Sequence, residues 1–389
     1  MSASAATPWR YGNLVAAIAT IASCDIALGF TFQLLPLLME MQRIPAWIIG
    51  LNTAMGPIGI LLAGPILPRI ISHLGPKRVA YIAVAFTISA LIAFKLTPNL
   101  YIWFPLRFAL GIATGALFTI SEAWILTFAG AGSRGRIMGI YTSVMAVSFS
   151  LGPFALPFTG TTGWLPWLIG ITCLGLSILP LTLVSVNDDI FHDKEGGNFL
   201  RVIKRAPLLL FAVSTATLFD SVFISFFTIF GLRSGLSLQT ASWVLGAGIL
   251  GNLGFQFLIG SLSDHWSRTG VVVSSAVITV LTSVALIFVV QSWLIWPTVI
   301  IMATAAFAVY VVALAIMGDT FKGADLVAGS AAFSAMWGVG GLVGPPIAGA
   351  AIDAFGVNSM PLLLAGFYVL LLIGLGLSRG KFVREPSHG

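Results

Sequence analysis

Residues 20–33 read TIASCDIALGFTFQ, an apolar run of helical length with a single carboxylate, Asp25, near its middle. Residues 215–230, TATLFDSVFISFFTIF, put Asp220 in the matching place, 195 residues later in a chain of 389. An ionised side chain at the centre of a bilayer costs about 2.5–3.5 kcal/mol on insertion scales, so an acid kept there is expected to mark a pathway for a solute or an ion. The plainer alternative is that each acid completes a buried hydrogen-bond network.

The surrounding composition supports the bilayer. The chain is 58% hydrophobic and 8% charged, with a mean hydropathy of +1.02, whereas a soluble domain carries about 25% charged residues. Residues 137–187 and 269–318 contain no Asp, Glu, Lys or Arg, and each gap accommodates two spans of about 20 residues. The net charge of +6 is spread over short loops and does not indicate a nucleic-acid partner. Cys24 and Cys173 lie within apolar runs and read as small core residues. The first apolar run is too long for a signal-peptide core, so no cleavage is expected.

Twelve membrane helices fit, at about 11–38, 46–70, 77–95, 100–128, 135–158, 163–186, 207–232, 238–262, 270–290, 293–319, 326–352 and 357–378. This is an all-α membrane protein with an N-terminal six-helix bundle (1–186), a polar linker loop (187–206) and a C-terminal six-helix bundle (207–389). Of the 19 Lys and Arg, fifteen fall in segments on the side of the N-terminus, against Arg43, Lys95 and Arg233 on the other. Basic loops stay inside, so both termini are expected in the cytoplasm. The remaining one, Arg107, lies inside the fourth helix. The halves also echo each other through Trp47 and Trp243, Gly64 and Gly260, Glu122 and Asp319, and Gly152-Pro153 and Gly344-Pro345, at offsets of 192 to 197 residues. Several matches in one register argue for a duplicated six-helix unit.

The loop after the eighth helix, Gly260-Ser-Leu-Ser-Asp264-His-Trp-Ser-Arg268, resembles the Gly-x-Leu-x-Asp-Arg-x-Gly-Arg loop of the major facilitator superfamily. Arg107-Phe-Ala-Leu-Gly111 is similar to the family's fourth-helix Arg-x-x-x-Gly motif, and the Gly-Pro breaks to its antiporter-type motif. The first-half loop departs from the pattern, with Ser72 where the family usually has Asp. The resemblance implies that helices one, four, seven and ten line a central cavity, and Asp25, Glu122, Asp220 and Asp319 fall one on each. It further implies alternating access by rocking, a gating loop at Gly260, Asp264 and Arg268, and a part for Arg107 in proton coupling; the membrane-embedded acids Asp25, Asp220 and Glu122, in a chain without an ATP-binding loop, are the other expected proton-coupling residues. Within the superfamily the chain resembles an alphaproteobacterial subfamily of copper and riboflavin importers. Copper is not the expected solute, because Cu(I) calls for sulfur ligands and residues 207–264 contain no Met, Cys or His.

The candidate solute-binding residues are Asp25, Gln33, Asn52, Arg107, Asp220, Phe223, Phe226, Asn252 and Gln256. Phe219, Phe223, Phe226 and Phe230 share a helical face. They could stack on a planar solute or simply pack the core, while the four amides can both donate and accept hydrogen bonds. Glu122 could alternatively pair with Arg134 or Arg136, and Asp319 is expected to pair with Lys322. No phosphate-binding glycine loop and no metal-ligand or Ser-His-Asp pattern is present, so neither an enzyme nor a cofactor nor a metal is expected. The expectation is a monomeric secondary transporter of the bacterial cytoplasmic (inner) membrane, moving a small organic solute with protons, with riboflavin uptake as the specific case. Multidrug or metabolite efflux by proton antiport, and a non-transporting receptor or assembly factor, are the alternatives.

Overall fold

The computed structural model describes residues 8–128, 134–185, 199–265, 267–321, 324–378 and 382. The expected linker loop falls largely outside them, as does Lys322. The described residues form fourteen helices and no strand: α1 (Pro8–Met41), α2 (Ala46–Ala63), α3 (Leu67–Leu74), α4 (Pro76–Leu96), α5 (Leu100–Phe128), α6 (Arg134–Thr159), α7 (Leu165–Leu183), α8 (Phe199–Arg205), α9 (Pro207–Arg233), α10 (Leu238–His265), α11 (Arg268–Val289), α12 (Ile295–Thr320), α13 (Ala324–Phe355) and α14 (Ser359–Leu377). Eleven of these are long and apolar enough to cross a membrane. α10, at 28 residues, has the length, but many of its side chains lie outside the described residues.

The expected second helix, 46–70, is in fact two. α2 stops at Ala63 and a short helix, α3, begins at Leu67, because Gly64-Pro65 removes a donor and a side chain at the join. Gly75, at φ 81°, then turns the chain from α3 into α4, in a region of backbone space that favours glycine. α11 starts on a Ser267 cap, whose hydroxyl accepts a hydrogen bond from the Gly270 N–H at 3.0 Å.

Contacts divide the chain into two compact units, and the division is not the one expected between the halves. One unit comprises residues 1–34 and 58–194, the other 35–57 and 195–389. The end of α1 and most of α2 therefore belong with the C-terminal helices. Pro36 and Pro57 sit beside the first two of the three points where the chain passes from one unit to the other. A proline inside a helix interrupts its hydrogen-bond ladder, so both crossings fall where the helix is locally weakest.

Within each unit the closest packing is made at glycines. In the first, a Cβ on Gly29 of α1 would collide with the Phe149 carbonyl of α6, and a Cβ on Gly152 of α6 with the backbone of Gly29 and Phe30. The two helices thus cross backbone to backbone at a reciprocal notch. In the second, Gly340 of α13 meets Thr217 and Leu218 of α9, and Gly344 meets Leu218 and Val222. α13 also takes α2 on glycines: Gly50 against the Pro345 carbonyl, Gly349 against the Ala46 carbonyl, and Gly341 against Pro57. Small residues permit this approach where no hydrophobic force drives helices together in lipid.

Gly29→Val and Gly349→Val are each expected to cost about 1–3 kcal/mol or more through forced separation of backbones. Thermal unfolding in detergent should fall by several degrees for both and remain near wild type for Gly175→Ala, where nothing lies within 4 Å of the added methyl.

Candidate functional site

The first unit holds the most isolated acid. Asp25 is 1% exposed, and neither carboxyl oxygen has a hydrogen-bond partner among the described residues. It lies one turn before the Gly29 notch, so the tight crossing of α1 on α6 fixes its depth. On its own helix, Thr20 and Thr31 return their hydroxyls to the Ala16 and Ala27 carbonyls at 2.8 and 2.6 Å, which leaves them no proton to offer the carboxyl. Seven residues on from Asp25, the Phe32 ring lies under the buried Arg107 guanidinium at 5.8 Å, and Phe32 is tilted against Phe149 at 6.0 Å. A cation over a ring face is attracted by about 0.5–2 kcal/mol, more where water is excluded. Gln33 is buried beside this group in sequence. Glu122 of α5 is exposed, and its neighbour Ser121 is buried. The side chains of Arg134 and Arg136, considered as its partners, lie outside the described residues.

The other end of this unit's helices is tied differently. Lys77, in the first turn of α4, donates to the Thr182 and Val184 carbonyls at 2.8 and 2.9 Å, capping the C-terminus of α7. A cation there complements the negative end of the helix dipole. Asn13 accepts from the Ser185 N–H at 2.7 Å.

In the second unit Asp220 is half-buried on α9. Tyr368 of α14 lies within electrostatic range of it. The Tyr368 hydroxyl donates to the Ala306 carbonyl at 2.9 Å, and its ring stands edge-on to Phe219 at 6.1 Å. The phenylalanine face of α9 is closed: Phe223 and Phe226 are 2% and 0% exposed. Phe223 stacks on Phe219 at 5.5 Å, touches Phe227 at 5.1 Å and fills the space over Gly248 of α10. Both rings are buried in this structure. Asn52 is fully buried on α2. The side chains of Asn252, Gln256, Gly260 and Asp264 on α10 lie outside the described residues.

Arg268 pairs with Asp319 at 2.7 Å. Asp319 was expected to pair with Lys322, which lies outside the described residues; among those described its partner is Arg268, the first residue of α11. Two further residues of the second unit, Glu40 and Asp353, had no signal in the sequence beyond lying near helix ends. Glu40 and Arg233 form a two-pronged ion pair at 2.7 and 2.8 Å, the geometry in which carboxylate and guanidinium fit best. Asp353 of α13 accepts from the Trp47 N–H at 2.9 Å, supplying from another helix the cap that α2 lacks on its own. These four residues, with Arg43, Ile44 and Pro45, line an open cleft of about 530 Å³.

The sequence profile of the Major Facilitator Superfamily matches residues 15–240 and 209–388. The chain belongs to that superfamily. Its relatives there include the MFS-type transporters YfkF of Bacillus subtilis, 24% identical over 89% of this chain and 91% of that protein, and YcaD of Escherichia coli, 23% identical over 93% of this chain and 95% of that protein. Solved structures of the same fold include a bacterial homologue of the lysosomal transporter Spinster, in an inward-facing, occupied conformation, with a TM-score of 0.78, 16% identity and coverage of 98% and 100%. The nucleoside transporter NupG superposes with a TM-score of 0.78 at 11% identity, over 96% of this chain and all of that one. The chain is therefore an integral membrane transporter and not an enzyme. None of these relatives points to the copper and riboflavin importers.

The Glu40–Arg233 pair is partly exposed, which limits its worth to about 1 kcal/mol. Glu40→Gln and Arg233→Gln are each expected to lower the thermal midpoint slightly. The charge-swapped double variant Glu40→Arg/Arg233→Glu should recover more than half of the summed loss.

Proposed function

We propose that this superfamily member is a proton-coupled secondary transporter of a small organic solute, with Asp25 as the principal proton site of the first unit, accompanied there by Arg107, and Asp220 as the proton site of the second. The observation that carries the proposal is the Asp25 carboxyl, buried on a membrane helix with no hydrogen-bond partner for either oxygen among the described residues. A carboxylate in that setting carries an uncompensated desolvation cost of several kcal/mol, and binding a proton relieves it. Proton binding and release at Asp25 therefore exchange a neutral group for a charged one, the kind of event that a transport cycle can couple to solute movement. Arg107, buried over Phe32, is a second charge sensitive to the same change.

The reading extends to a monomer in the bacterial cytoplasmic membrane; both termini are placed inside because the distribution of Lys and Arg favours that orientation. For the solute, neutral heteroaromatic compounds come first. Gln33 in the first unit and Asn52 in the second are buried amides, each of which offers both donors and an acceptor, and riboflavin and nucleosides both present ring edges with that alternation. Proton antiport with efflux is the second reading, favoured by the glycine-proline sites of α6 and α13 on which the acid-bearing helices sit.

Proteoliposomes loaded with a pH-sensitive dye and challenged with riboflavin, nucleosides, sugars and amino acids separate these readings by sign. Symport acidifies the lumen as solute enters, whereas antiport makes it alkaline. Asp25→Asn is expected to abolish the pH signal and uphill accumulation while sparing solute exchange. Uphill transport unchanged in Asp25→Asn would overturn the proposal.

A further inference from the structure

The loop of the first half, residues 64–78, takes no part in the proposed transport chemistry, and its charges are unbalanced. It holds Arg69, His73, Lys77 and Arg78, and no Asp or Glu occurs between Glu40 and Glu122. The corresponding loop of the second half is balanced: its sequence carries Asp264, and its Arg268 pairs with Asp319 at 2.7 Å. In the first half Ser72 brings no charge, and its hydroxyl donates to the Arg69 carbonyl at 2.8 Å. Lys77 is engaged with the Thr182 and Val184 carbonyls. The side chains of Arg69, His73 and Arg78 are exposed, and no ion pair or hydrogen bond holds them among the described residues.

The cations flank an apolar row. α3 packs on α4 and buries Leu67 and Ile71. Ile66, Ile70 and Leu74, four residues apart, are 55%, 40% and 43% exposed. They follow directly on Leu62, another exposed leucine at the end of α2. At 3.6 residues per turn the buried pair lies on one flank of this row, and Arg69 and His73 lie on the other. α3 joins the membrane spans α2 and α4, so it lies at the membrane surface. A helix so placed sets its apolar row against acyl chains and its cations at the level of the headgroups. Arg78 stands in the first turn of α4, where no acid accompanies it and the helix dipole is positive. An anion is the missing partner on both helices.

We infer that α3 and the first turn of α4 form a binding site for an anionic phospholipid, with Arg69, His73 and Arg78 on its phosphate and Ile66, Ile70 and Leu74 along an acyl chain. Guanidinium groups suit phosphate oxygens, which they meet with two parallel N–H donors. A zwitterionic headgroup brings its own cation and leaves the charge of this surface uncompensated. Free phosphate would meet the arginines but leave the apolar row uncovered.

The test uses the full-length protein in detergent and needs no solute. Native mass spectrometry gives the dissociation constant of the first phosphatidylglycerol bound, and of phosphatidylcholine with the same acyl chains. Phosphatidylglycerol is expected to bind more tightly. Arg69→Gln and Arg78→Gln should each weaken it about fivefold and leave phosphatidylcholine unchanged, while Lys95→Gln, at the other end of α4, changes neither. Ser72→Asp keeps every cation and puts a carboxylate one turn from Arg69, so it should weaken phosphatidylglycerol as well. Equal affinity of the wild type for the two lipids overturns the site, as does a preference for phosphatidylglycerol that survives in folded Arg69→Gln/Arg78→Gln. Should that double variant fail to fold, Ser72→Asp takes its place, and an unchanged preference overturns the site. Glycerophosphoglycerol, the headgroup without chains, should not raise the thermal midpoint; protection equal to that by phosphatidylglycerol would assign the arginines to a soluble phosphate. A preference that appears only in Asp188→Asn/Asp189→Asn/Asp193→Asn would assign them to the chain's own acidic segment and overturn the lipid site too.

Discussion

Direct backbone contact at glycine is the constraint on which the rest of this structure depends. In lipid, apolar side chains gain nothing by leaving their surroundings, so helices must be held by close packing and by polar contacts. Here the close contacts coincide with the helices that carry acids. α1 sits on α6 through Gly29 and Gly152, and α9 sits on α13 through Gly340 and Gly344. Asp25 is one turn from the first of these crossings, and Asp220 lies between Leu218 and Val222, the residues on which Gly344 rests. A helix that could slide or rotate would turn its carboxyl toward lipid. The glycine seats set both the depth and the facing of a group whose misplacement would cost several kcal/mol.

The same device explains why the two compact units do not follow the sequence halves. α13 has glycines on two sides, one set taking α9 and the other taking α2 at Gly50, Ala46 and Pro57. The segment 35–57 is drawn into the second unit by this packing and fastened by Asp353 on the Trp47 N–H and Glu40 on Arg233. Glycine-proline pairs that look like simple helix breaks along the chain thus act as docking surfaces. The helices continue through them.

Most of the fold was legible in the sequence, because long uncharged runs and the Lys/Arg asymmetry report directly on the bilayer. Asp25, Arg107 and Asp220 stood out for the same reason: a lone charge in an apolar run is conspicuous. What was not legible depended on partners distant in sequence. Asp319 pairs with Arg268, and Glu40 and Asp353 looked like ordinary loop-end acids. The phenylalanine face of α9 shows the limit of periodicity. Its spacing is that of a stripe, but the packing of Phe223 on Gly248 and neighbouring rings could not be read from that spacing.

Proton coupling in this protein turns on Asp25 being a carboxyl group that takes up a proton inside the membrane. Carbodiimide labelling tests this without a solute, since N,N′-dicyclohexylcarbodiimide enters apolar regions and reacts with protonated carboxyl groups. Peptide mapping by mass spectrometry after labelling in native membranes should find Asp25 modified, with a yield that falls as pH is raised and a site that disappears in Asp25→Asn. An Asp25 that remains unlabelled at every pH, while other carboxyl groups in the protein react, would contradict it.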